Sequence, residues 1–546
     1  MKKLPIPALF VFSLAAVAFA QEDRAVVTGT VTDPSQAAIA NAVVTIDNKA
    51  IGFHREVKTN EAGAFLIPGL SIGVYDITIR KEGFRIEQYS GLELAVGQTR
   101  TIAAHMQIAS RTQEVDVIAN VDALDQTSSK LAGVIESTQV SELPINGRAW
   151  TALMALVPGA MDSGGGTQKS IRFAGRGQDD NNFRFDGVDA TGISNQAPNT
   201  NTRLQISTEA IAEFKVDTML YGADTGGTNG GQVEVISKSG SNGFHGSAFE
   251  YLRNNLLNTR GPFDGSTLPP LRLNQFGGTF GGPIVKNRTF FFVAYEGLRQ
   301  RLGSTLIGNV PSDSFRAQVL AQSPVLAPIV NAYPHGTRPV SSTTSQYVSV
   351  ASIAANEDSA MTRIDHRFND STSLFVRYNV DEVSLSSPSG NLLDKTQTST
   401  APMNGTINLS QVFSPTMFNN VQLGMNRIWA LAHTDSHLFD NTGIFNSVSV
   451  PGFEKLNQAA DAVKAPTTYT IKDDFTWTHG LHTLKAGVEI KRVVYNYSQA
   501  SENALVYASL TGFAANQLDQ VNLIGGVPTH GLLKTEYFGY VQDTWK

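Results

Sequence analysis

Three short stretches of this 546-residue chain bring together residue types that could do chemistry. GGGTQKS (164–170) has the glycine-and-lysine look of a phosphate-cradling loop. Such a loop needs Gly directly before its Lys, but Gln168 precedes Lys169, and no clear strand leads in. His433 and His437 stand four apart, as zinc ligands on a helix would. Thr434, Asp435 and Ser436 between them supply no general-base Glu, so solvated loop histidines are the better reading. Asp179, Asp180, Asn181 and Asn182 offer oxygens for Ca²⁺ but lack the EF-hand spacing and its closing Glu, and they read as a turn. No His has Glu three residues after it, so the His-x-x-Glu set of a zinc peptidase is missing. With no cysteine, disulfides, thiolate metal sites and Cys nucleophiles are excluded. The expectation is therefore no catalytic residue, no metal, no cofactor and no enzyme activity.

What remains to be explained is a scaffold. Met1-Lys2-Lys3, the apolar run Ala8–Val17 and the small-residue site Ala18-Phe19-Ala20 form the layout of a secretory signal peptide, with cleavage expected before Gln21. No later run holds 18 apolar residues, so the exported chain is either soluble or a β-barrel. Charged residues make up 16%, below the usual quarter or so, and the net charge of −6 carries no basic run. Nucleic acid is not an expected partner.

Residues 24–108 read as a small β-sandwich with seven strand candidates: AVVTGTVTD, AVVTIDN, FHREVKT, AFLIP, VYDITIRK, LELAV and TRTIAAHM. Tyr75, Ile77 and Ile79 share one face and Asp76, Thr78 and Arg80 the other, which leaves one face for a core. Gly29-x-Val31-x-Asp33, Asn60-Glu61-x-Gly63-x-Phe65, Gly73-x-Tyr75 and Gly83-Phe84 resemble the carboxypeptidase regulatory-like domain. That resemblance implies a transthyretin-like binding or spacer module, with carbohydrate binding as one association.

The next stretch turns on tight corners. Phe183 and Phe185 share one strand face, opposite Asn182, Arg184 and Asp186, and Asp186-Gly187 is a strong turn signal. Thr138–Leu143 and Trp150–Leu156 are the helical candidates. ELPINGR (142–148), Arg172–Gly177, Phe185-Asp186-Gly187-Val188, AIAEFKV (210–216) and GGQVEVISKSG (230–240) are similar to the plug of TonB-dependent outer-membrane receptors. GGTFGGPIVKNRTFFFVAYEGLR (277–299) resembles the first barrel strands of the Oar-like subgroup. By that resemblance Glu114, Val115, Asp116, Val117, Ile118 and Ala119 look like a TonB box, which pairs with the periplasmic coupling protein TonB by strand addition. The alternative is the last strand or linker of the preceding domain. Arg148, Arg172, Arg176, Arg184 and Asp186 are the expected plug–barrel interface, where a buried charge must be paired; direct ligand contact is the other reading for the arginines.

From Gly243 the pattern becomes amphipathic. Leu484, Ala486, Val488 and Ile490 oppose Lys485, Gly487, Glu489 and Lys491; Val421, Leu423 and Met425 oppose Asn420, Gln422, Gly424 and Asn426. Leu374, Val376 and Tyr378 oppose Phe375, Arg377 and Asn379 less cleanly. Such alternation suits a transmembrane barrel strand, and a soluble sandwich as well. Aromatics at strand ends, Phe290–Phe292 with Tyr295, Trp429, Trp477, Tyr495 with Tyr497 and Tyr537–Trp545, favour the membrane. The polar stretches 300–358 and 379–402 are expected as extracellular loops.

The expected fold is mainly β: a transthyretin-like sandwich, an α+β plug, then the first strands of an incomplete transmembrane barrel. The expected division is 1–20 signal peptide, 21–110 sandwich, 111–124 linker, 125–240 plug and 241–546 partial barrel. About ten strand candidates stand against about 22 in a plugged transporter barrel, so a fragment of a longer protein is expected. The resemblance implies a receptor in the outer-membrane lipid that takes up a large or scarce, carbohydrate-related or other, extracellular ligand. The alternatives are an adhesive or structural surface protein without transport, and a secreted carbohydrate-binding protein.

Overall fold

The structure is a computed structural model. It describes residues 24–109, 131–162 apart from 144, 146 and 147, 171–191 apart from 178 and 179, 206–225, 230–260, 268, 270–388, 395–435, 447–457, 461–480, 482–499 and 502–545. The leader, the 114–119 segment, the glycine-rich 164–170 loop, Asp179 and His437 lie outside the described residues.

Two sheets face each other in the N-terminal sandwich. Ala64–Leu70, Ala25–Thr32 and Thr99–His105 form one, in that order; Phe53–Lys58, Val43–Asn48, Gly73–Arg80 and Glu87–Leu94 form the other. The period-2 faces meet as expected: Tyr75, Ile77 and Ile79 lie within one core with Val44, Ile46, Phe65 and Ile67. The sixth strand runs from Glu87, five residues ahead of the LELAV segment. A register shift between Tyr75 and Ile77 lets Tyr89 pair with Ile77, so a polar run that scores poorly as a strand is carried by its neighbour.

The plug is built on a five-stranded sheet ordered Val188–Asp189, Asn182–Phe185, Gln232–Ser237, Ile211–Met219, Leu131–Glu136. Helix Ser137–Glu142 and the 3₁₀ turn Trp150–Leu156 cover one face. Trp150 is fully buried, edge-on to Phe214 and Phe185 at 5.4 and 6.2 Å between ring centroids. This core continues into the third domain, where Phe292, Ala294 and Met361 join it.

That third domain is an 11-stranded sheet. Ten long strands follow one another as an antiparallel meander: His245–Asn254, Leu271–Val285, Thr289–Pro311, Thr344–Arg367, Thr372–Pro388, Lys395–Ser414, Met417–Asp435, Ala462–His479, His482–Gln499 and Val527–Trp545. The short Arg338–Pro339 pairs with Thr344–Arg367. Among the described residues the sheet is open, with His245–Asn254 and Val527–Trp545 at its edges.

Burial along these strands runs opposite to that of a soluble protein. Phe291, Ile364, Val376, Ile407, Leu423, Ile471, Ile490 and Tyr537 are in register across eight strands and form one apolar row. Of these, Ile364, Val376, Ile407, Leu423, Ile471 and Tyr537 are exposed. One residue over, Arg363, Arg377, Thr406, Gly424, Thr470 and Lys491 form a second row, in which every side-chain-bearing member is buried. Apolar outside and polar inside is what a wall in lipid requires, and the ambiguity left by alternation is resolved in that direction.

Two sequence expectations change here. Phe290 and Phe292 are buried on the inner side and only Phe291 of the trio lies in the outer row, because neighbours on a strand must face opposite ways. The stretches 300–358 and 379–402 are not loops throughout: strands of 23 and 24 residues run to Pro311 and restart at Thr344, and Thr372–Pro388 pairs antiparallel with Lys395–Ser414. About ten residues cross a bilayer, so such strands project well beyond it, where Ser and Thr can occupy both faces.

At the projecting end, three connections fold together. Helices Asp313–Gln322 and Ala327–Ala332 from the first pack against a four-stranded sheet, Leu456–Asn457, Ser447–Ser449, Glu502–Val506 and Gln520–Ile524, drawn from the other two. Phe315, Val319, Tyr333, Phe453, Leu456 and Phe513 form its separate core.

Leu423 and Val521 are exposed to nearly the same extent, 45% and 47%, but one faces the lipid side and the other solvent. Leu423→Arg should lower stability in bilayers by about 2–4 kcal/mol, whereas Val521→Arg should stay within about 0.5 kcal/mol. Urea unfolding in vesicles measures both.

Candidate functional site

The region where the sequence brings most charge out of water is the seam between plug and wall. It starts from a two-residue hairpin. Asn182–Phe185 and Val188–Asp189 are joined by Asp186 and Gly187, both with positive φ (46° and 81°), the geometry that an Asp-Gly pair adopts at low cost. The turn therefore projects a carboxylate from the plug at a fixed place.

That carboxylate meets the inner row of the wall. Arg363 and Arg377 are directly opposite each other on neighbouring strands, an arrangement that like charges disfavour. Asp186 lies against both: Arg377 Nε donates to Oδ2 at 2.8 Å, and Arg363 Nη1 lies 3.4 Å from Oδ1. Arg377, only 1% exposed, also donates to the carbonyls of Phe185 and Asn404 at 2.9 and 3.0 Å. Ser237 donates its N–H and hydroxyl to the two Asp186 oxygens, both at 2.9 Å. Burial pushes the Asp186 pKa up, but Arg377, Arg363 and Ser237 outweigh it and hold the carboxyl below the usual range.

The rest of the hairpin follows the same row. Gln422 Nε2 donates to the Asp186 carbonyl at 2.5 Å. A Cβ on Gly424 would sit 2.5 Å from a Val188 methyl, so this position must lack a side chain for the hairpin to lie flat. Lys491 Nζ donates to Asp189 at 2.7 Å, and Arg184 Nη2 pairs with Glu489 at 3.0 Å. Burial pulls the Arg184 pKa down, and the Glu489 and Asp189 carboxylates more than reverse it.

A second contact lies on the strand Thr289–Pro311. Glu296, fully buried, accepts from Gln275 at 2.7 Å and from the Ser207 hydroxyl, and faces Arg148 at 3.4 Å. Arg148 also pairs with Glu209 at 2.8 Å and lies over Phe249 and Tyr251, 4.7 and 4.5 Å from the ring centroids. On the plug's other side, Glu213 accepts a hydrogen bond from the Val96 N–H of the sandwich. Burial raises its pKa to about 7; Glu136 across the strand adds to this, while the Val96 bond and Lys215 oppose it.

Of the five interface residues expected from sequence, Arg148, Arg184 and Asp186 contact the wall, while Arg172 and Arg176 are exposed on the hairpin Ala160–Asp162/Ile171–Phe173 and its following turn. Burial for those two does not hold, because Ile171 and Phe173 take the inward face and leave Arg172 outside. Arg363, Arg377, Gln422 and Lys491 were not singled out. The available signal was a charged or amide side chain on the polar face of an amphipathic strand in a charge-poor chain. His433, one of the zinc candidates, pairs with Asp461 at 2.8 Å, and no group of three or more metal-ligating side chains occurs among the described residues.

Comparison with known proteins places this arrangement. Residues 236–546, more than half of the chain, match the model of the outer membrane beta barrel domain, and residues 26–107 match the carboxypeptidase regulatory-like domain. The chain is 25% identical over 300 residues to the TonB-dependent transporter Oar of Myxococcus xanthus; the match covers 51% of this chain and 27% of that protein. The chain thus spans about a quarter of the relative's length. Among solved structures it is similar in fold to the outer membrane transporter YddB of Escherichia coli, with TM-score 0.52, 12% identity, and coverage of 76% of this chain and 55% of that one. The ferric yersiniabactin uptake receptor FyuA of Yersinia pestis aligns with TM-score 0.44 and 11% identity over 77% of this chain and 62% of that one.

Asp186→Ala should loosen the plug by about 3–5 kcal/mol, because it leaves two buried arginines facing each other. Adding Arg377→Leu should recover part of that loss. Hydrogen exchange at residues 182–191 reads both. The folded pKa of Asp186 lies below 3.8, so its contribution should be complete above about pH 4 and disappear as pH falls through that lower value.

Proposed function

The chain belongs to the outer membrane beta barrel domain family, and from that premise we propose that it is the plug-bearing part of a TonB-dependent outer-membrane transporter. The observation that carries this reading is the hairpin Phe185–Asp189 seated along one inner row of the wall, from Arg363 to Lys491. A plug held by many polar contacts closes the lumen at rest. Because these contacts are ionic and hydrogen-bonded rather than a greasy interface, water entering the seam can replace them one by one as the plug moves.

The sandwich and plug are joined by residues 110–130, which enter the plug at Leu131. Among the described residues Leu131–Glu136 is an edge strand, paired with Ile211–Met219. Tension applied at Glu114–Ala119 by periplasmic TonB would reach this edge strand first. Stripping an edge strand breaks hydrogen bonds in sequence, which needs less force than shearing a sheet at once. The cargo we propose is an extracellular ligand too large or scarce for diffusion, with carbohydrate-related compounds favoured by the regulatory-like domain. No covalent step belongs to this role.

A second reading, surface adhesion without transport, is favoured by one feature: the separate lobe around Phe315, Phe453 and Phe513 at the projecting end. Uptake separates the two. Val115→Pro in the complete protein should abolish TonB-dependent ligand uptake while ligand binding persists, since Pro removes a ladder donor within a strand-addition segment. Unchanged uptake would remove that segment from the mechanism, and binding without any TonB-dependent uptake in the parent protein would support adhesion.

A further inference from the structure

A cavity of about 580 Å³ lies where sandwich, plug and wall meet, at the short-turn end of the sheet, away from the projecting lobe. It is walled partly by apolar groups, among them Ile51, Ile72, Phe290, Phe375 and Phe418. Its charges are unevenly matched. Asp186 and Asp365 are already held by wall arginines, which leaves Asp370 as the remaining lining carboxylate beside the cations Arg24, Arg55, Lys238, Arg288 and Arg367. Arg55 of the sandwich and Arg367 of the wall lie against the same Phe53 ring, 5.0 and 6.0 Å from its centroid. Neither forms an ion pair with a carboxylate among the described residues: Arg55 donates to the carbonyls of Pro68 and Asp370 at 2.6 and 3.2 Å, Arg367 to those of Gly52 and Asn287 at 2.8 and 2.5 Å. Arg367 Nη1 is buried with no acceptor among the described residues. Lys238, directly after the plug strand Gln232–Ser237, lines the same space with no ion pair among the described residues, the charges of Glu209 and Arg148 acting on it from further off.

Burial lowers the pKa of Arg55 to about 10, with Tyr75 and Asp370 opposing it and Arg24 adding to it; burial lowers that of Lys238 too, against the opposing charge of Glu209. Gathering more cations than anions out of water is costly, and an acceptor oxyanion would satisfy the idle guanidinium donor and the excess charge together. The volume is that of a small-molecule site, and its lining sets apolar and aromatic side chains beside many polar and charged ones.

We propose that this cavity binds a phosphate monoester with an apolar body, its phosphate held by Arg55, Arg367 and Lys238 and its body against Phe53 and the neighbouring aromatic wall. Each of the three domains supplies one cation, so the ligand ties the sandwich to the base of the plug and wall. The source is either a soluble phosphate ester or a lipid such as phosphatidic acid, whose headgroup has the same chemistry. This site is independent of what the lumen carries.

The test is calorimetric titration of the full chain in phosphatidylcholine nanodiscs with phenyl phosphate, using phenol and inorganic phosphate as partial probes. Saturable binding of phenyl phosphate is expected, with phenol inert and inorganic phosphate weaker. Lys238→Gln, at a side chain with no hydrogen bond to sandwich or wall among the described residues, should weaken binding about tenfold, as should Arg367→Gln, while Arg367→Lys should retain part of it. Near-ultraviolet circular dichroism confirms folding of each variant. If phosphatidic acid in the nanodisc displaces phenyl phosphate, the lipid is the source; if it does not, the soluble ester is. Affinity unchanged in both glutamine variants, or phenol binding as well as phenyl phosphate, would overturn the proposal.

Discussion

Two arginines that face each other across neighbouring strands, both buried, cannot stand alone in a low-dielectric wall. Arg363 and Arg377 are such a pair, and Asp186 is the plug carboxylate that lets them stay. The dependence is mutual. Without the two guanidinium groups the Asp186 carboxylate would itself be a buried charge with only Ser237 to meet it. Wall and plug are therefore not separately stable parts that happen to touch. Each carries a charge that the other neutralises, and the Asp186-Gly187 turn, with its two positive φ values, sets where the meeting occurs.

From that point the architecture follows in one direction. The inner row continues past Gly424, where the absent side chain admits Val188, to Lys491, which takes Asp189. The outer row, offset by one residue, is apolar from Phe291 to Tyr537 because strand neighbours point to opposite sides. A single register thus serves lipid on one face and a polar plug on the other. A slip of one residue would put Ile364 and Val376 against the plug and both arginines into lipid, so the polar contacts and the membrane enforce the same pairing. The sandwich is attached through Glu213 to the plug, through Arg55 and Arg367 to the short turns of the wall, and through the Ala50 carbonyl, which accepts from the Asn242 N–H at 2.8 Å.

Much of this was legible from the sequence where local rules decide the outcome. Lys485–Lys491 and Leu484–Ile490 announce their two faces by period alone, and Asp186-Gly187 announces its turn by backbone chemistry. Legibility fails where position depends on a distant partner. Nothing local distinguishes Arg172, which is exposed, from Arg184, which is buried against Glu489, because the difference lies in which sheet each short strand joins. The pairing of Arg363 with Arg377 requires the register between two strands, and their joint need for Asp186 requires a contact across about 180 residues. Polar strand extensions such as 344–358 read as loop, since outside the lipid neither face has to be apolar. The lobe was hidden for a similar reason: its core is assembled from three separate connections, each too short to bury a face alone.

Because the chain has no cysteine, the seating of the hairpin can be tested by one crosslink. A Cβ at position 424 would lie 3.2 Å from the Cβ of Val188, close to the separation a disulfide spans. Val188→Cys combined with Gly424→Cys, oxidised in intact outer membranes and probed by proteolysis between the two positions, should yield fragments that stay joined until reductant is added. Fragments that separate without reductant, while the reduced double-cysteine protein still assembles, would contradict the account that the plug rests on this row of the wall.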